Sequence, residues 1–289
     1  MFKGCFVAVV TPFRRGEIDE RAFKELIRFL VEKGVDGIVP CGTTGESPAL
    51  SHEEHQRVIK LAVQEARKRV AVIAGTGSNS TKEAVELTEF AKECGADGAL
   101  VVAPYYNKPT PKGLESHYRR LEKIGLPLVI YNIPSRTGIN IPPSLIAKLS
   151  RLNNIVGVKE ASGSMDQVSN IIAESKPNFS VLSGDDSLTL PILSLGGVGV
   201  ISVVANILPK ETQDLVSSYL AGNIGRAKEL HYKLFRLFKA MFIETNPLPI
   251  KTAMARLGMI EKEWRLPLEA MEEENEKKLE QALSNYGLI

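Results

Sequence analysis

Short apolar runs alternate with amphipathic stretches along most of the chain. Cys5–Thr11, Gly37–Pro40, Val70–Ala74, Ala99–Ala103, Leu128–Tyr131, Val156–Lys159, Phe179–Ser183 and Val198–Val203 are rich in branched aliphatic residues and bounded by polar, glycine or proline turns. That pattern predicts strands. Between them the period changes. Ala22-Phe23, Leu26-Ile27 and Leu30-Val31 recur at helical spacing and stop at Gly34. His52–Lys68 and Thr81–Glu93 read as further helices. Ser51 with Glu54, and Ser80 with Glu83, carry the spacing of a capping box at their starts. Pro111 and Pro142-Pro143 suit the first turns of later helices.

Strand–helix units repeated eight times predict a parallel sheet buried on both faces. A closed (β/α)8 TIM barrel accounts for that count better than an open doubly wound sheet, which has no reason to stop there. Beyond Pro209 the pattern is helical, over Ile224–Phe242, Ile250–Leu257 and Glu269–Ala282. The expected organisation is a catalytic barrel over residues 1–222 and an appended helical region over 223–289.

Composition narrows the function classes. Of 289 residues, 44% are hydrophobic and 24% charged, an ordinary globular balance. A net charge of +2 argues against nucleic acid or an anionic membrane as partner. No run approaches the roughly 20 apolar residues of a membrane span. The N-terminus enters strand sequence at once, without signal-peptide anatomy, so a cytoplasmic location is expected. Cys5, Cys41 and Cys94 are far apart and lack CxxC spacing, which disfavours a zinc site or disulfide framework.

Barrel enzymes keep their chemistry at the C-terminal ends of the strands. Here the sixth strand ends on Lys159, within Val156-Gly157-Val158-Lys159-Glu160-Ala161. Apolar surroundings disfavour an ammonium and favour the free amine, a nucleophile able to condense with a carbonyl as a Schiff base. The bland alternative is a lysine whose stem packs and whose head reaches water. The other strand ends tip the balance toward chemistry. Gly42-Thr43-Thr44-Gly45 offers backbone N–H groups and hydroxyls for a small carboxylate, and would also serve as a capped glycine turn. Tyr131 and Tyr106 could relay protons. Arg136, in a loop bounded by Pro134 and Gly138, suits a second carboxylate. Gly184 and Ile201 close the seventh and eighth strands.

Other signals are weaker. Gly75-Thr76-Gly77 lacks the third glycine of a dinucleotide fingerprint. Gly196-Gly197-Val198-Gly199 precedes its strand and reads as a turn. His52 and His55 stand at i, i+3 with no third ligand in prospect, so no metal is expected.

Several of these stretches, taken together, resemble the dihydrodipicolinate synthase family of the class I pyruvate aldolase superfamily. They are Gly42-Thr43-Thr44-Gly45-Glu46-Ser47, Pro104-Tyr105-Tyr106-Asn107-Lys108-Pro109, Tyr131-Asn132-Ile133-Pro134-Ser135-Arg136-Thr137-Gly138 and Val158-Lys159-Glu160-Ala161-Ser162-Gly163. Val10-Thr11-Pro12, Ser183-Gly184-Asp185-Asp186, Gly199-Val200-Ile201-Ser202, Glu244-Thr245-Asn246-Pro247 and Arg265-Leu266-Pro267-Leu268 extend the resemblance over nearly the whole chain.

The resemblance implies condensation of pyruvate with L-aspartate 4-semialdehyde, the step that opens diaminopimelate and lysine biosynthesis, with no cofactor beyond the covalent Schiff base. It implies Lys159 as the Schiff-base residue, and Thr43, Tyr131 and Tyr106 as a proton relay, Tyr106 reaching across a tight dimer. Thr44 would bind pyruvate's carboxylate and Arg136 that of the aldehyde, with Gly184 and Ile201 supplying carbonyls near the lysine. It further implies a homotetramer built as a dimer of dimers. An inhibitory L-lysine site would fall on Ser47, His52, His55, Asn79, Glu83 and Tyr105, with Pro48 a departure from the alanine often found there. Within the superfamily the alternative is an N-acetylneuraminate lyase or keto-deoxy-sugar aldolase, which has less use for Arg136. Outside it, the alternative is a non-catalytic small-ligand sensor on the same barrel.

Overall fold

The computed structural model describes residues 1–289. Eight parallel strands close on themselves: β1 (Gly4–Ala8), β2 (Gly37–Val39), β3 (Ala71–Gly75), β4 (Gly98–Val102), β5 (Leu128–Asn132), β6 (Ile155–Glu160), β7 (Ser180–Ser183) and β8 (Gly199–Ser202). Each pairs with its neighbours in sequence, and β1 pairs with β8 to complete the barrel. Closure leaves no sheet edge unpaired.

Strand alternation divides the apolar residues into two sets. Phe6, Ala8, Val39, Ile73, Leu100, Val129, Tyr131, Leu182 and Ile201 fill the barrel interior. Cys5, Val7, Ile38, Val101, Ile130 and Val158 point outward into the larger core between sheet and helices. Tight places in this packing admit only glycine. A Cβ on Gly37 would lie 2.4 Å from the Phe6 ring.

The helices that cover the sheet are α1 (Glu20–Glu32), α2 (His52–Ala66), α3 (Thr81–Glu93), α4 (Pro111–Glu122), α5 (Pro134–Thr137), α6 (Pro143–Ser150), α7 (Met165–Glu174), α8 (Thr189–Ser194) and α9 (Pro209–Leu220). Three more follow, α10 (Ile224–Ala240), α11 (Leu248–Arg256) and α12 (Glu273–Tyr286). α10 packs on α9 and on α12, and α12 on α11. No helix is long and apolar enough to cross a membrane.

The eight strands lie where the apolar runs predict them, with differences at the ends. The first ladder stops at Ala8 instead of Thr11, because the Val10 N–H goes to the Asn206 side chain at 3.4 Å. A two-stranded hairpin, Phe13–Arg14 with Glu17–Ile18, follows it unforeseen. The last helix starts at Glu273, not Glu269, since the Glu272 N–H is taken by the Glu244 carboxylate at 2.9 Å. Of the two expected capping boxes, Ser51–Glu54 forms with both its bonds. The second does not. The Ser80 side chain makes no cap bond, its N–H goes to Ser78 Oγ, and Glu83 turns to Ser78 and His52 instead.

Candidate active site

Lys159 is the penultimate residue of β6, opposite Tyr131 on β5 and Leu182 on β7. That register aims its side chain into the barrel, where it is 5% exposed. Its Nζ lies 4.2 Å from the centre of the Tyr131 ring. An amine over the face of an aromatic ring suits a cationic imine. Gly184 makes the room: a Cβ there would come within 3.2 Å of Lys159 Cε and 2.7 Å of Ala161 Cβ.

The neighbours of this pair, Asn132 and Glu160, face outward and lock it from behind. Asn132 Nδ2 donates to both Glu160 carboxylate oxygens, at 3.0 and 3.2 Å. The same carboxylate accepts from the Ser162 N–H at 2.7 Å and from Gln167 Nε2 at 3.1 Å. Asn140 closes the network by bonding Asn132 and Gln167. Satisfied buried networks of this kind hold one geometry.

The loop after β2 carries Thr43 and Thr44, and residues remote in sequence hold it down. Glu46 adopts a left-handed backbone, φ 53°. Its carboxylate forms a fully buried ion pair with Lys251 of α11 at 2.5 Å. Lys251 also donates to the Thr11 carbonyl at 3.0 Å and lies over Phe13 at 4.3 Å. Burial pushes the Lys251 ammonium below its ordinary pKa, and the Glu46 charge opposes that shift. The Arg265 guanidinium covers the same Phe13 ring at 4.5 Å while gripping both Glu54 oxygens at 2.6 Å. Asn246 donates to Thr44 Oγ1 at 3.0 Å.

Arg136 sits on α5, a single turn ended by Gly138 at φ 73°. Its Nη2 donates to the Asn246 carbonyl at 2.9 Å and to Thr245 Oγ1 at 3.3 Å. Arg136 and Thr43 line a cleft of about 370 Å³ whose far wall is Ser47, His52, His55, Glu83 and Tyr105. In that wall His52 Nε2 meets Glu83 at 2.8 Å, and His55 Nε2 meets the Gly75 carbonyl at 2.7 Å. Burial lowers the His55 pKa. Burial and then the Glu83 charge raise that of Tyr105. Asn79 lies beside this wall, its carbonyl accepting from Asn107 Nδ2 at 2.8 Å.

Sequence-nominated residues therefore form two groups, Lys159, Tyr131, Gly184 and Ile201 inside the barrel and Thr43, Ser47, His52, His55, Glu83, Tyr105 and Arg136 around the cleft, while Thr44 and Asn79 lie outside the cleft lining. Tyr106 joins neither within one chain. It is 89% exposed and held at φ 69°. His52 and His55 bind different protein atoms, and no three His, Cys, Asp or Glu side chains converge on a metal-sized site. Cys5, Cys41 and Cys94 are free thiols.

Reading the sequence assigned no role to Glu46, Asn246, Lys251 or Arg265. One signal was available: Lys251 is a lone cation in the apolar run Leu248–Met254, and such a residue needs a buried partner.

The profile of the Dihydrodipicolinate synthetase family matches residues 1–286. The 4-hydroxy-tetrahydrodipicolinate synthase of Syntrophus aciditrophicus (strain SB) is 57% identical over 290 residues, covering 100% of both chains. The crystal structure of dihydrodipicolinate synthase from Aquifex aeolicus superposes with a TM-score of 0.98 at 54% identity, over 99% of each chain. That of the Cyanidioschyzon merolae enzyme with lysine bound gives 0.96 at 40% identity, over 100% of this chain and 99% of that one. Likeness at this level over the full length, in sequence and in backbone, makes the chain a member of the dihydrodipicolinate synthetase family.

Proposed function

We propose that this enzyme condenses pyruvate with L-aspartate 4-semialdehyde through a Schiff base on Lys159, giving 4-hydroxy-tetrahydrodipicolinate for diaminopimelate and lysine biosynthesis. We further propose that it works as a cytoplasmic homotetramer without an added cofactor. Residues 1–222 are the catalytic barrel, and 223–289 a helical region that braces the site through Asn246 and Lys251. The observation that carries the reading is Lys159 Nζ stacked 4.2 Å over the Tyr131 ring inside a closed barrel.

The chemistry follows from the groups present. Lys159 Nζ adds to the C2 carbonyl of pyruvate, and the carbinolamine loses water to give an iminium. Loss of a methyl proton gives the enamine, whose carbon attacks the aldehyde. The amino group of the second substrate then adds to C2 and releases Lys159, closing the ring. Tyr131 and Thr43 move the protons these steps require. The Thr44 hydroxyl and the nearby Gly45 loop receive the carboxylate of pyruvate, and Arg136 that of the aldehyde. In this reading the Gly184 and Ile201 carbonyls serve the lysine end of the site. Tyr106, exposed and strained in one chain, completes the relay of a partner's site across a dimer. A turnover assay with both substrates tests the reading. Consumption of pyruvate only when the semialdehyde is present supports it, and inert mixtures refute it.

L-Lysine, the end product, fits the wall of the cleft as an inhibitor. Ser47, His52, His55, Asn79, Glu83 and Tyr105 would hold it, with the Glu83 carboxylate taking an ammonium group. Support comes from Glu83, which is free of the capping role its spacing suggested and lines the same cleft as Thr43 and Arg136. The lysine-bound relative adds to it. Initial rates against millimolar L-lysine, for the wild type and Glu83→Thr, check this. Inhibition lost in the variant supports the site, and an insensitive wild type refutes it.

A further inference from the structure

One residue of the C-terminal region touches both carboxylate seats. Asn246 is 6% exposed. Its Nδ2 donates to Thr44 Oγ1 at 3.0 Å across 202 positions of sequence. Its backbone carbonyl accepts from Arg136 Nη2 at 2.9 Å. Thr44 is itself 2% exposed.

A hydroxyl has one proton and two lone pairs. Because Asn246 occupies a lone pair, the Thr44 O–H is left to donate, and the Asn246 amide is its one side-chain partner. The amide serves Thr44 at its own expense, since Asn246 Oδ1 is buried with no hydrogen-bond partner. Turned over, the amide would accept the Thr44 proton and remove the donor from the loop.

We infer that Asn246 is a positioning residue for the first substrate: its side chain sets the Thr44 hydroxyl as a donor to the carboxylate of pyruvate, while its backbone anchors Arg136. This rests on the reading of the Thr44 loop as the pyruvate seat. Side chain and backbone serve different substrates, so a side-chain change separates them.

The test is the pyruvate concentration that half-saturates borohydride trapping on Lys159, measured with the KM for the aldehyde. Asn246→Ala should raise the pyruvate value about tenfold. It should leave the aldehyde KM within about twofold, because the carbonyl that holds Arg136 remains. Asn246→Asp, nearly isosteric, should raise the pyruvate value further. Its carboxylate accepts the Thr44 proton and repels the substrate. In a Thr44→Val background, Asn246→Ala should add little. A merely structural role would instead move both KM values, kcat and Tm together, and that outcome overturns the inference. So does a wild-type pyruvate value in either variant. If wild-type enzyme takes no pyruvate label at Lys159, the reading of the site falls and the inference with it. A labelled wild type with unchanged variants overturns the inference alone.

Discussion

Tyr131 and Lys159 are Cα partners across β5 and β6, and the Lys159 amine lies 4.2 Å from the centre of the Tyr131 ring. Parallel pairing fixes the two backbones relative to each other, so neither group depends on a mobile loop for its place. In the proposed relay the ring and the hydroxyl of Tyr131 have separable jobs. Tyr131→Phe keeps the stacking surface and removes the proton carrier. It should lower kcat by about 10²–10⁴-fold while leaving Tm nearly unchanged. Steady-state rates with a thermal melt check this, and a kcat within threefold of wild type would remove Tyr131 from the relay.

Tyr106 points into solvent from a left-handed backbone. If it serves a partner's site, Tyr106→Phe and Lys159→Ala are inactive for reasons that lie in different chains. Mixing the two variants under conditions of subunit exchange should then restore part of the activity. A cross-dimer holds one site with both residues intact. Absence of recovery, with exchange demonstrated by mass spectrometry, would assign each site to a single chain.

The Glu46–Lys251 pair is buried on both sides and joins the Thr43–Thr44 loop to α11. Lys251→Met leaves the Glu46 carboxylate buried without its cation, at a cost of about 3–5 kcal/mol in stability. Adding Glu46→Gln removes the stranded charge and should recover much of that loss. Urea denaturation reads both effects through the midpoint at constant slope. A single variant as stable as the wild type would contradict the buried-pair account.

His117 supplies a pH signature. Burial pushes its pKa down to about 4 from an ordinary 6.5. The unfolded chain therefore binds the proton first as pH falls. The stabilising contribution is complete above pH 6.5 and is lost as pH drops through 4, on the order of 3 kcal/mol between neutral pH and pH 4. Asp186 has the opposite sign. Burial raises its pKa to about 6, so its stabilising contribution is present below about pH 3.8 and is lost as pH rises through 6. The comparison to make is thus wild type against His117→Phe at each pH, which cancels the Asp186 effect. A stability difference that does not shrink on acidification would show that His117 is not buried as a neutral ring.

The barrel was legible because its signals are local. Apolar runs such as Leu128–Tyr131 and helical repeats such as Ala22–Val31 are long enough to set a period, and eight units admit few closed topologies. Lys159 stood out as a cation ending an apolar strand. What stayed hidden depends on contacts between residues far apart in the chain. Asn246 meets Thr44 across 202 positions and Lys251 meets Glu46 across 205, and no local pattern encodes either. The Ser80–Glu83 spacing misled for a related reason. A better set of partners, Ser78 and His52, reached Glu83 once the barrel had formed. The single turn Pro134–Thr137 is too short to carry a period.

Borohydride reduction in the presence of pyruvate, followed by mass analysis of the peptides, decides whether Lys159 carries the imine. An imine on Lys159 is reduced to a stable secondary amine, so the expected result is a pyruvate-derived mass on the peptide that contains Lys159, absent without pyruvate and absent from Lys159→Ala. Label on another lysine, or none on a chain that turns over both substrates, would contradict it.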